Sequence, residues 1–158
     1  MKSYPNYMFS YGMNTNIGGM RLRCPDAVCL GKAVLYEHRF DFRYHADVAH
    51  RPGSLVHGLL WELDDVGLGY MDKVEGYPTY YTREEIWVDA DDGNQYLAWV
   101  YKMQPGDGFE FPHDSYLQMV HEGYVSNDIP TDQIWTAMER CYEGYNNYGL
   151  SERLGYFG

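Results

Sequence analysis

The tetrapeptide Asp91-Asp92-Gly93-Asn94, set between apolar, aromatic-rich runs at residues 81–88 and 95–103, constrains the fold of this chain more than any other feature. An Asp-Gly step between two strand-like runs is a strong local hairpin signal, because glycine reaches positive φ without a Cβ penalty. Two antiparallel strands are therefore expected here, and the remaining strand-like segments have to build a sheet around them.

Those segments lie before the hairpin. Tyr7-Met8-Phe9-Ser10-Tyr11 is a short aromatic run closed by Gly12, which reads as a buried strand ending in the turn Gly12-Met13-Asn14. Residues 28–42 alternate through Val28, Leu30, Ala33, Leu35, Phe40 and Phe42, with Gly31 at an expected bulge or bend; one long or two short strands fit. Residues 54–63 form another strand, whose internal Gly58 marks a close backbone approach. Residues 44–53 are expected to be an exposed loop. Asp64 suits the N-cap of a short helix carrying Val66, Leu68, Met71 and Val74, with Gly76 as its stop and Pro78 beyond. After the hairpin, residues 115–125 and 131–141 carry apolar side chains at helical spacing and read as helices covering the sheet. Segment 142–158 is rich in Gly, Asn and Tyr, lacks periodicity and is assigned no structure. The pattern predicts an α+β fold with a small curved or barrel-like, mostly antiparallel sheet and covering helices. With 158 residues and no repeat or linker, a single domain over residues 1–158 is expected.

A formal net charge of −11 repels phosphate backbones and excludes nucleic acid as a partner. The opening apolar stretch is too short for a signal-peptide core, and no run approaches the ~20 apolar residues that span a bilayer. No membrane association is expected, and a cytoplasmic location is. Cys24, Cys29 and Cys141 are an odd set without C-x-x-C pairs, which fits reduced thiols rather than zinc.

Among possible chemical groups Glu75 stands out. It closes the short helix and opens the aromatic segment Glu75-Gly76-Tyr77-Pro78-Thr79-Tyr80-Tyr81. Neighbouring rings raise a carboxyl pKa by desolvation, and the negative end of a helix acts in the same direction. A carboxyl poised near neutrality can take and return a proton. Other constellations fail on spacing. His45 and His50, or His121 beside Glu122, do not form a metal-binding helix face. Ser10 is not in a Gly-x-Ser-x-Gly elbow, and Gly18-Gly19 lacks the Gly-Lys-Ser/Thr ending of a phosphate loop. Asp89, Asp91 and Asp92 read as a solvated hairpin tip.

Tyr11-Gly12-Met13-Asn14, Glu75-Gly76-Tyr77-Pro78 and Tyr81, in this order over roughly residues 7–140, resemble the γ-glutamylcyclotransferase family (AIG2-like). That family carries a Tyr-Gly-Ser-Asn loop after its first strand and a catalytic glutamate in a Glu-Gly turn; here Met13 stands in place of the serine. The resemblance implies an enzyme that releases 5-oxoproline and a free amine from a γ-glutamyl amide, without metal or organic cofactor. It implies Glu75 as general base and acid, and Tyr11, Gly12, Met13, Asn14, Tyr81 and Tyr116 around the substrate. The partner is then a small γ-glutamyl molecule, glutathione metabolism being one setting, and the protein a monomer or homodimer. Met13 and the tyrosine-rich tail also fit a non-catalytic protein that uses the same cavity to bind a small ligand or a partner.

Overall fold

The computed structural model describes residues 5–106 and 108–157, with side chains to residue 144. In chain order the elements are β1 (Asn6–Ser10), a 3₁₀ turn (Met13–Thr15), α1 (Ile17–Arg23), β2 (Val28–Arg43), β3 (His45–Leu63), α2 (Asp65–Glu75), β4 (Tyr81–Ala90), β5 (Gln95–Met103), α3 (Asp114–Ser126) and α4 (Asp132–Phe157). The strands close into a barrel in the order β1-β3-β2-β4-β5. All neighbours are antiparallel except β1 and β5, which run parallel.

The hairpin β4–β5 pairs continuously from Tyr81↔Met103 to Asp89↔Gln95, with Gly93 at φ 86° in its turn. The long hairpin β2–β3 pairs from Val28↔Glu62 to Arg43↔His45, with register shifts at Cys29/Gly31 and Tyr36/His38. Gly31 thus stands at a bulge, as its sequence position predicts. Strand β1 pairs along β3 from Asn6↔Leu63 to Ser10↔Leu59, and two short seams then close the barrel: Ala33↔Ala90 and Val34↔Asp89 between β2 and β4, Met8↔Trp99 and Phe9↔Val100 between β1 and β5. Phe9, Leu35, Val56, Leu60, Val88 and Val100 are all fully buried. Helix α4 is clasped to β2 by Arg140, which donates to Asp41 Oδ1 at 2.7 Å and to the Phe40 carbonyl at 2.6 Å.

Three sequence expectations need correction. Residues 44–53 are not an exposed loop: Tyr44, at φ 71°, turns the chain directly into β3. Ala46, Asp47 and Val48 are buried. The charged and histidine residues of this stretch hide its strand character, and Asp47 is tolerated in the interior because Arg43 pairs with it at 3.0 Å and the Met103 amide donates to it at 2.9 Å. Helix α1 was not expected. Asn16 caps it, accepting from the Gly19 amide, while Gly18-Gly19 lowers its propensity below the level a local pattern shows. Of the segment 142–158, assigned no structure, residues 142–157 continue α4 as far as Phe157, and residue 158 lies outside the described residues. Among the described residues, no helix is long and apolar enough to cross a membrane.

Candidate active site

The end of β1 is held by a buried polar cluster. Ser10 Oγ donates to the Asn14 carbonyl at 3.1 Å, and Trp61 Nε1 from β3 reaches the same carbonyl at 3.0 Å. Ser10 is therefore a brace of the loop rather than a nucleophile. Thr15 Oγ1 and the Thr15 amide both donate to the Gly12 carbonyl, at 2.7 and 3.1 Å, tightening the turn. Any larger residue at 12 would be crowded. A Cβ there would lie 3.0 Å from the Tyr116 hydroxyl and 3.1 Å from the Ala46 Cβ. From α3, the Tyr124 hydroxyl donates to the Tyr11 carbonyl at 2.5 Å and fixes the loop from behind.

Glu75 comes to this loop from the other side. Asp64 starts α2 by accepting from the Gly67 amide at 2.7 Å, and Gly76 ends it in the left-handed conformation at φ 67°. One turn before Glu75, Asp72 is gripped by Arg83 at 2.9 and 3.2 Å and by the Tyr101 hydroxyl at 2.7 Å. The Arg83 guanidinium lies over the Trp99 ring, 4.1 Å from its centroid. The end of α2 is thus tied to β4 and β5, and Glu75 points at the β1 loop. Asn14 Nδ2 donates to Glu75 Oε1 at 2.9 Å across 61 positions of sequence. Burial raises the Glu75 carboxyl from 4.5 to about 7; the Asn14 hydrogen bond and the Arg23 charge pull the other way without cancelling it.

All residues singled out in the sequence line one cavity: Tyr11, Gly12, Met13, Asn14, Glu75, Tyr81 and Tyr116. Its volume of about 110 Å³ is several times the ~10–15 Å³ that holds one water. The tyrosine hydroxyls mostly serve the frame. Tyr11 donates to the Tyr101 carbonyl at 2.5 Å and Tyr81 to the Ala46 carbonyl at 2.6 Å. The Tyr116 oxygen accepts from the Ala46 amide at 3.0 Å. Burial raises all three phenols above their ordinary value, so they are neutral at pH 7. His45, Tyr80 and Tyr101 also line the cavity, unassigned by sequence reasoning. His45 Nδ1 and the Tyr80 hydroxyl are 2.6 Å apart, and burial lowers the imidazole pKa. Arg23, too, went unnoticed: its Nε donates to Asn14 Oδ1 at 3.1 Å and its Nη2 to the Met13 carbonyl at 3.3 Å. A hidden strand start at 45 brings His45 to the site, and a hidden helix at 17–23 brings Arg23.

Residues 8–124 match the family model described as gamma-glutamyl cyclotransferase, AIG2-like. The gamma-glutamylcyclotransferase of Bos taurus is 26% identical over 137 residues, spanning 78% of this chain and 72% of the relative. That of Homo sapiens is 25% identical over 142 residues, with the same two shares. Among solved structures, a gamma-glutamyl cyclotransferase superposes with a TM-score of 0.76 at 22% identity, over 85% of this chain and 87% of its own. YkqA from Bacillus subtilis gives 0.72 at 21% identity, over 86% of this chain and 54% of its own. At these identities the structural likeness speaks to the fold.

Proposed function

The chain belongs to the gamma-glutamyl cyclotransferase, AIG2-like family, and from that premise we propose that it cleaves a γ-glutamyl amide into 5-oxoproline and a free amine. The observation that carries this reading is the Asn14–Glu75 hydrogen bond, which joins the two family motifs over one cavity.

In the proposed reaction the substrate's own α-amine is the nucleophile, so holding the glutamyl arm in its folded conformer removes most of the entropic barrier. The amine arrives as an ammonium and Glu75 takes its first proton. Nitrogen then bonds to the γ-carbonyl carbon, the carbonyl electron pair moves to oxygen, and collapse of the adduct breaks the bond to the departing nitrogen. Of the three ammonium protons, one stays on the ring nitrogen and two end on the departing amine, with Glu75 carrying them in turn. Raising its carboxyl from 4.5 to about 7 narrows the gap to the substrate ammonium by about 2.5 pH units, which lowers the cost of the first transfer by about 3 kcal/mol. Tyr116 supports a second role. Its oxygen accepts the Ala46 amide, which leaves its proton as the group it can offer to a carbonyl oxygen in the cavity.

Release of 5-oxoproline across a panel of γ-glutamyl amino acids, amines and glutathione tests the reading. Glu75→Gln is nearly isosteric and is expected to keep the fold while losing at least ~100-fold in turnover. Near wild-type release by that variant would overturn the mechanism. Thermal stabilisation by a γ-glutamyl compound without turnover in the wild type would instead mark a binding protein.

A further inference from the structure

The side chain of Asn14 has two ends that differ in chemistry but hardly in shape, and its contact with Glu75 works in one orientation only. An ionised carboxylate accepts and cannot donate, so it needs the Nδ2 end. Within the loop that choice has a visible cause. Arg23, on the last turn of α1, has donors and no acceptor, and its Nε sits 3.1 Å from Asn14 Oδ1. A flipped amide would put two donors face to face there. The guanidinium is itself held by the Met13 carbonyl at 3.3 Å. It lies beside Gly19, where an added Cβ would come within 3.0 Å of Nη1, so the helix leaves room for it.

We infer that Arg23 is a positioning residue: it fixes the Asn14 amide so that Nδ2 holds Glu75 Oε1, leaving Oε2 as the oxygen that exchanges the proton. The role of Oε2 rests on the function proposed above; the orientation of the amide does not. Arg23 is also the charged member of the group facing the carboxyl. Among the described residues, Tyr11 at the end of β1, Tyr81 on β4, Tyr101 on β5 and Tyr116 on α3 face it as neutral phenols, and Arg23 on α1 as a cation. Without Arg23 the amide is free to present Oδ1, which pairs with the protonated acid and holds its proton.

The test is the ¹³C NMR titration of the Glu75 carboxyl, without substrate, in wild type, Arg23→Met and Arg23→Lys. Arg23→Met is expected to raise the midpoint by about one unit, the low end of what a neighbouring opposite charge does to a carboxyl. Lysine, a donor-only cation, is expected to hold it within half that shift. In turnover, the pH profile of kcat/KM moves the same way, and the Met variant loses about fivefold at pH 7 as the ionised fraction falls from one half to about one eleventh. If Arg23→Met does not fold, Arg23→Gln, able to donate or accept, takes its place with the same expected rise. An unmoved midpoint in the neutral variant, or equal shifts in the neutral and Lys variants, overturns the inference. A shifted midpoint in a protein that never releases 5-oxoproline sinks the proposed function and leaves the positioning role standing. Turnover with an unmoved midpoint does the reverse.

Discussion

Replacing Glu75 by glutamine should stabilise this protein at alkaline pH, and the amount follows from the site. In the folded chain the carboxyl titrates at about 7 rather than 4.5. Between those values the folded state holds a proton that the unfolded chain has released, so the folded pKa is raised and stability falls as pH rises through the window 4.5 to 7. Integrating one site, the raised carboxyl pKa costs the fold about 0.8 kcal/mol at pH 5, where it forces proton uptake, and about 3.3 kcal/mol at pH 8. Glutamine has no proton to lose and can still accept from Asn14 Nδ2, so its stability carries no such slope. The variant is therefore expected to gain about 2.5 kcal/mol on the wild type between pH 5 and pH 8. Urea unfolding at the two pH values, followed by tryptophan fluorescence, measures this directly. Stability curves that run parallel for the two proteins would show that Glu75 is not desolvated, and the poised base would go with it.

Other outcomes follow from the same geometry. A Cβ at Gly58 would be driven into the Ser10 carbonyl and the Phe9 ring, so Gly58→Ala is expected to cost about 1–3 kcal/mol; a melting temperature equal to wild type would refute the close approach. Tyr116→Phe removes the acceptor of the Ala46 amide, which should cost about 1–3 kcal/mol in urea unfolding and lower kcat more than it raises KM. An unchanged kcat would remove Tyr116 from the reaction. Because the base form of Glu75 is needed, kcat/KM for 5-oxoproline release should climb about tenfold per pH unit below a midpoint near 7. A flat profile between pH 5 and pH 8 would contradict that role.

Much of the fold was legible because its signals are local. The Asp-Gly turn, the alternation through Phe40 and Phe42, the Asp64 cap and the Gly76 stop each act within a few residues, and each stands where the sequence puts it. The start of β3 was not legible, because buried Asp47 becomes tolerable only through Arg43 and a backbone amide from β5. Closure of the sheet was equally hidden, since parallel pairing of β1 with β5 joins residues about ninety positions apart. In the cavity, Glu75 and the Tyr11 to Asn14 loop were visible through their motifs. Arg23 and His45 were not: Arg23 lies in a stretch without a visible element until α1 forms beside the loop, and His45 reads as a loop residue until Tyr44 turns β2 into β3.

The two brief seams divide the barrel into a three-stranded valve, β1-β3-β2, and a two-stranded one, β4-β5, with α2 as the link between them. The cavity straddles that division. Tyr11 to Asn14 hang from the first valve, Tyr81 and Tyr101 from the second, and Glu75 rides on the link. A molecule lodged there bridges both valves like a clasp across a bivalve shell. Occupancy would then add contacts across a division where the strand pairing is short on both sides.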